Sequence, residues 1–192
     1  MSGTPDLDSS LRVADEVLEV ARNHGADAVL IGALALAVHN YPRDTTDLDL
    51  AVAIEPRLLY DMAAALMARG YNTVVRDPTP DDPLGGVLDV RSDAGDLIQV
   101  VNFLNPPSGG FPRLVADAIA TSVPFVEGSL LRVVDLDHLI VFKLYAGGPK
   151  SSNDILALLE SNPDLDLVRL QALCKSYRLD RALARVRNLA GR

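Results

Sequence analysis

The stretch from Val29 to Val52 constrains this chain most. Val29-Leu30-Ile31 is apolar and extended in character, Gly32 interrupts it, the residues to about Asn40 read as a short helix, and a second extended segment carries Asp47-Leu48-Asp49-Leu50. Side chains alternate along a strand, so Asp47 and Asp49 share one face while Leu48 and Leu50 share the other. Two like charges one strand period apart, on a segment otherwise apolar enough to be buried, repel each other and resist desolvation unless a cation lies between them. The pattern points to a divalent metal site built on a sheet strand.

The flanking sequence supplies elements to surround that strand. Leu11, Val13, Ala14, Val17, Leu18, Val20 and Ala21 recur at helical spacing after Asp8-Ser9-Ser10, whose oxygens offer an N-cap, and Asn23-His24-Gly25 is a stop signal. Glu55-Pro56 opens another helix with Leu58, Leu59, Met62, Leu66 and Met67 on its apolar face. Extended segments follow at 71–75, 87–91 and 97–103. The spacing predicts a hairpin between the last two with a two-residue turn at Ala94-Gly95. The Pro-, Asp- and Gly-rich segment 77–86 reads as a mobile loop. A helix over 111–121 and a short strand or hairpin around Glu127-Gly128 come next, and from Asp135 onward the pattern is helical, over 137–145, 152–159, 165–175 and 179–189. The expected architecture is α/β (α+β): residues 1–134 as a core built on a mixed sheet flanked by helices, and residues 135–192 as a helical segment packed on it.

With 192 residues and 48% hydrophobic content the chain can bury a sizeable core. Its longest apolar run, Ala28 to Val38, is far shorter than the roughly 20 residues a membrane span needs. The acidic start, Met1 to Asp8, lacks the parts of a signal peptide, and the lone Cys174 excludes an internal disulfide, so a cytoplasmic protein with no membrane partner is expected. The net charge of −8 opposes a surface built mainly for nucleic acid. Its distribution is uneven: residues 161–192 hold Arg169, Lys175, Arg178, Arg181, Arg185, Arg187 and Arg192 against Asp164, Asp166 and Asp180, so this tail carries +4 and the remainder −12. Both a solvated helix face and a patch for a polyanion such as RNA fit that asymmetry.

Gly32-Ala33, thirteen intervening residues (34 to 46), then Asp47-Leu48-Asp49-Leu50 resembles the signature of the DNA polymerase beta-like nucleotidyltransferase superfamily. The Arg43-Asp44-Thr45-Thr46-Asp47 spacing is most similar to the minimal bacterial members and to the toxin half of abortive-infection-type toxin and antitoxin pairs. Asp137, Lys143 and the run from Gly147 to Ile155 are similar to the later motifs of those toxins. The resemblance implies a nucleotidyltransferase-like sheet. It also implies a magnesium-dependent enzyme that moves a nucleoside monophosphate from a nucleoside triphosphate (NTP) to a hydroxyl of RNA, protein or a small molecule, with an antitoxin as partner on the toxin branch. On that reading Asp47 and Asp49 are the catalytic ligands of Mg2+, while Gly32, Ala33, Arg43, Thr45, Lys143 and Lys150 bind the triphosphate. The residue types suit the reaction: carboxylates hold magnesium against phosphate oxygens, a glycine turn lets the backbone approach phosphate, and a compact lysine cation offsets the departing pyrophosphate.

Two positions depart from the family pattern. Ala33 lacks the hydroxyl a serine would bring. In Ile98-Gln99-Val100-Val101 a glutamine stands where the family has its third carboxylate, and Gln99 can neither accept a proton nor strongly bind a second magnesium. Asp89 and Asp96 are the nearest substitutes. The two-residue turn pairs Asp89 with Val100, facing away from Gln99, and a one-residue shift would reverse that; Asp96 sits at the turn, toward the end of the sheet. These departures support an alternative, a degenerate nucleotidyltransferase fold serving as a nucleotide- or protein-binding regulatory module. Structural roles also remain open: Asp47 capping a turn, Asp49 paired with Arg43, Lys143 on a solvated helix face, His39 ending a helix, and Lys150 with Asp154 as a surface ion pair.

Overall fold

A computed structural model describes residues 7–45, 47–108 and 110–189; Thr46, Arg192 and residues 1–6 of the acidic start lie outside the described residues. The strands are β1 (Val29–Ile31), β2 (Asp47–Val52), β3 (Asn72–Arg76), β4 (Val87–Arg91), β5 (Leu97–Asn102), β6 (Val123–Pro124) and β7 (Arg132–Val133). They form one mixed sheet in the order β3-β4-β5-β2-β1-β7-β6. The carboxylate strand β2 runs parallel to β5 and antiparallel to β1, which places it near the middle of the sheet. The helices are α1 (Leu7–Asn23), α2 (Gly32–Val38), α3 (Arg57–Met67), α4 (Pro112–Thr121), α5 (Leu136–Ala146), α6 (Gly148–Ser161), α7 (Leu167–Ser176) and α8 (Asp180–Arg187). The mixed α/β class expected from sequence is the one observed.

Alternation sorts the two faces of the sheet. Leu48, Leu50, Leu88, Val90, Ile98 and Val100 point to one side and are buried beneath α1 and α3. Truncating any of these to alanine would cost about 2–5 kcal/mol. The opposite face carries Asp47 and Asp49, and there α5 stands over the sheet, with Phe142 meeting Phe103 edge-on at 5.0 Å. One hydrophobic cluster runs from the sheet into α5, α6, α7 and α8 through Leu139, Ile155, Leu170 and Leu183. Among the described residues no helix is long and apolar enough to cross a membrane.

Local capping explains several boundaries. Asp135 caps α5 by accepting from the His138 amide, and Asp166 caps α7 by accepting from the Val168 and Arg169 amides. Ser9 and Ser10 are not caps: they lie inside the first turns of α1 and donate to the Asp96 carboxylate at 2.9 and 2.8 Å. Met67 points to solvent rather than inward. The segment 77–86 is tied down, because the Asn105 amide donates to the Thr79 and Asp82 carbonyls and the Gly85 amide donates to Asn102. α6 begins at Gly148, four residues before the expected start at Ser152, which puts Lys150 in its first turn.

The β4–β5 hairpin also differs from expectation. Asp89 pairs with Gln99, not Val100. The Ser92 amide donates to the Asp96 carbonyl, leaving Asp93, Ala94 and Gly95 as a three-residue loop whose last residue takes a left-handed φ of +96°. A three-residue loop ending in a left-handed glycine is the commonest alternative to a two-residue turn, and the extra residue shifts every partner by one.

Candidate functional site

Asp47 and Asp49 open β2 on one face, with Asp49 beside Ile31 of β1, the last residue before Gly32. Gly32 turns the chain into α2 at φ +73°, a conformation side chains rarely adopt. A Cβ at this position would lie 2.7 Å from Asp49 Cγ, so the carboxyl group and the glycine turn are pressed together. Burial pushes the Asp49 carboxyl up to about 6, and the charge of Asp47 adds to that; Lys143, Lys150 and Arg43 pull it down without restoring the ordinary value.

Ala33, Arg43, Asp44, Thr45, Asp47, Asp49 and Lys150 line one open cleft of about 640 Å³. The Thr45 hydroxyl hydrogen-bonds the Asp47 carboxylate and also donates to the Asp47 carbonyl at 3.1 Å. Arg43 reaches Asp154 at 3.8 Å rather than Asp49, and its buried Nε has no hydrogen-bond partner. Lys143 donates to the same carboxylate at 2.7 Å, so the buried Asp154 holds Lys143, and Arg43 more loosely. The expected Lys150–Asp154 surface pair is replaced by this long-range arrangement, because Asp154 faces inward toward α5 instead of along its own helix surface. Asp154 is therefore a positioning residue that local helix spacing did not reveal; its separation of eleven residues from Lys143 carries no periodic signal.

The sequence-predicted site residues thus fall into two groups around Asp49: Ala33, Arg43, Thr45, Asp47 and Lys150 in the polar cleft, and Gly32 and Lys143 on its other side. There, a second cavity of about 380 Å³ is walled by Phe103, Phe142 and Tyr145 together with Leu84 and Val101. These aromatic walls come from the residue just after β5 and from α5, and the sequence pattern does not single them out.

Gln99 stands directly across from Asp49 on β5, and Asp89 directly across from Gln99 on β4. Asp89 accepts from the Gln99 amide and from Arg76, each at 2.8 Å. Asp96 lies away from the cleft, buried among the hydroxyls of Ser9, Ser10 and Ser92. His39 ends α2 with its ring bonded to the Val134 carbonyl at 2.8 Å. Asp137 is buried against Arg169 at 2.8 Å, which engages one of the tail arginines in the fold.

The donor set suits one magnesium ion. Two carboxylates on one strand face, the inner one short of compensating charge, match an ion that takes one or two protein carboxylates and fills its shell with phosphate and water. Among the described residues no cluster of three or more His, Cys, Asp or Glu side chains could hold a metal.

No family model and no curated relative matches the sequence. Solved structures do. The antibiotic-resistance factor ANT(2'')-Ia in solution is similar with a TM-score of 0.53 and 14% identity, over 95% of this chain and 98% of that one. The same factor in complex with adenylyl-2''-tobramycin gives 0.52 and 16%, over 88% and 97%. An antigenic nucleotidyltransferase-like protein from Paracoccidioides brasiliensis gives 0.54 and 15%, over 94% and 92%. The fold is that of the nucleotidyltransferases. At these identities the likeness speaks for the fold, and the chemistry has to be argued from the cleft itself.

Proposed function

We propose that the chain is a magnesium-dependent nucleotidyltransferase that moves a nucleoside monophosphate from an NTP to a hydroxyl acceptor. The carrying observation is the Asp47 and Asp49 pair in an open cleft that also holds Arg43 and Lys150, with Gly32 pressed against Asp49. Asp47 and Asp49 would hold magnesium, which when bound supplies positive charge to the phosphate undergoing transfer. Gly32 and Ala33 let the chain approach phosphate closely, and Arg43, with a buried N–H lacking a partner, and Lys150 offer donors to the triphosphate. Lys143, fixed by Asp154, shares the second cavity with Asp49 from α5. The aromatic cavity beyond Asp49 suits the flat face of a nucleobase. On this reading the boundary at 134/135 separates the carboxylate-bearing core from the helices that bring Lys143 and Lys150. ANT(2'')-Ia, of comparable length, is seen with adenylyl-2''-tobramycin, which supports a small-molecule acceptor as one class alongside RNA and protein. The later motif run and the basic α8, whose Arg185 lines a cavity with Lys143, support the toxin branch, an RNA acceptor and an antitoxin partner.

The test is magnesium-dependent binding of each NTP by the wild-type chain and by Asp47→Asn and Asp49→Asn. Loss in both variants is expected, by roughly a thousandfold if several kcal/mol of metal-mediated stabilisation disappear; unchanged binding would overturn the reading. A regulatory binding module is favoured by one observation, the neutral Gln99 bonded to Asp89 beside the pair. Nucleotide binding with no transfer to any acceptor in a cell extract would select it.

A further inference from the structure

The face that bears Asp49 continues across two more strands as a connected row. Asp49, Gln99 and Asp89 are directly opposed in register, and Arg76 closes the row from β3. An ionised carboxylate can only accept hydrogen bonds, so the Gln99 terminal atom facing Asp89 at 2.8 Å is its amide nitrogen. The charge of Asp89 is matched by Arg76 at 2.8 Å. Neighbouring strands lie about 4.8 Å apart, so Asp89 sits roughly 10 Å from β2, beyond sharing an ion with Asp49 at magnesium's ligand distance of about 2 Å. The position beside Asp49 that could complete a second cation site is therefore filled by an uncharged group. The nearest additional carboxylate on the sheet is neutralised and turned to a different partner.

We propose that this protein works with a single divalent cation, and that Arg76, Asp89 and Gln99 are positioning residues that close the second ion's place. This rests on the nucleotidyltransferase reading and narrows it. Arg76 holds Asp89, Asp89 holds the Gln99 amide, and the carboxamide keeps the strand face next to Asp49 free of a third negative charge. Two ions about 3.5–4 Å apart need bridging carboxylate or phosphate charge on both sides. Of the protein's own groups only Asp47 and Asp49 supply it, because the group directly across from Asp49 is the uncharged Gln99.

The experiment is a manganese titration of the full chain, followed by electron paramagnetic resonance, with the unreactive α,β-methylene analogue of each of the four ribonucleoside triphosphates. Wild type is expected to bind one Mn2+ per chain with the spectrum of an isolated ion. Gln99→Asp is expected to bind two, with the spectrum of an exchange-coupled pair. Gln99→Glu provides the same reading should the shorter acid fail to fold. Two coupled ions in wild type would overturn the single-cation proposal while leaving the nucleotidyltransferase reading intact. One ion in wild type and in both folded variants would overturn the role given to Gln99. No ion in wild type with any analogue would overturn the underlying reading and this inference with it.

Discussion

Two carboxylates of one sheet, Asp49 on β2 and Asp96 immediately before β5, live in opposite surroundings. Asp96 is buried at the start of β5 with three serine hydroxyls donating to it, from Ser9 and Ser10 on α1 and from Ser92 across the hairpin. Burial alone would raise its carboxyl, but those hydrogen bonds outweigh burial and hold it below the ordinary value. Asp49 receives no comparable provision. Burial and the neighbouring Asp47 raise it to about 6. A carboxylate whose task is to join two parts of a fold comes with its donors built in. One left short of partners at the edge of an open cleft has room for a charge the chain does not supply, and on the proposed reading this contrast separates a structural from a functional acid.

The two glycines beside these acids break the comparison most sharply. Gly32 at φ +73° touches Asp49, whereas Gly95 at φ +96°, in the loop before Asp96, has open space where a Cβ would go. A left-handed conformation costs an alanine about 1–2 kcal/mol wherever it occurs. Gly95→Ala should lose about that much and leave nucleotide binding unchanged. Gly32→Ala adds a collision with a carboxyl group and should cost about 3 kcal/mol or more in urea unfolding, with magnesium-dependent nucleotide binding falling at least tenfold. Equal effects at the two positions would erase the distinction.

Neutralising the acids should move stability in opposite directions. Asp96→Asn removes charge from an anion bonded by three hydroxyls and is expected to destabilise by about 2–3 kcal/mol. Asp49→Asn relieves repulsion and the burial of charge, and in the absence of magnesium it should stabilise by about 1–2 kcal/mol at pH 7, measured by thermal unfolding. A loss of stability in both would mean that Asp49 also has a structural partner.

The same difference has a pH signature. The Asp49 carboxyl titrates near 6 in the folded chain against 3.8 when unexposed to the fold, so the folded state binds more protons in between. Its contribution therefore weakens stability progressively as pH rises from about 4 to 6. The depressed Asp96 contributes with the reverse sign: its stabilisation is present above the ordinary carboxylate range and is lost as pH falls below it. Unfolding followed from pH 4 to 7 with a chelator should show a wild-type decline that Asp49→Asn abolishes and saturating magnesium reduces. A slope unaffected by either would remove Asp49 as its source.

Much of this was legible in the chain because strand alternation is a local rule. Asp47, Asp49 and the burial of Leu48 and Leu50 follow from a period of two, and the Gly32 turn from a single glycine. What escaped depends on chain closure. Whether the loop after β4 holds two or three residues is decided by a left-handed Gly95, and that one residue moves Asp89 from facing away from Gln99 to lying beside it. Asp96 is remote from the cleft, as its place at the turn implies, but its partners Ser9 and Ser10 lie 87 and 86 positions earlier, beyond any spacing rule. Asp154 likewise bonds Lys143 on another helix rather than Lys150 on its own.

The smallest test concerns Asp47, which lies between the two extremes. It has one built-in donor, the Thr45 hydroxyl, on an exposed loop that water also reaches. A single hydrogen bond of this kind contributes about 0.5–1.5 kcal/mol, and exposure favours the lower end because water replaces the donor. Thr45→Val should leave unfolding within about 0.5 kcal/mol of wild type and weaken magnesium-dependent nucleotide binding about two- to fivefold, since the carboxylate keeps its charge but loses its fixed orientation. A fall in stability comparable to Asp96→Asn would show that Thr45 acts for Asp47 as the serines act for Asp96. Asp47 would then be a structural acid, and Asp49 alone would carry the functional deficit.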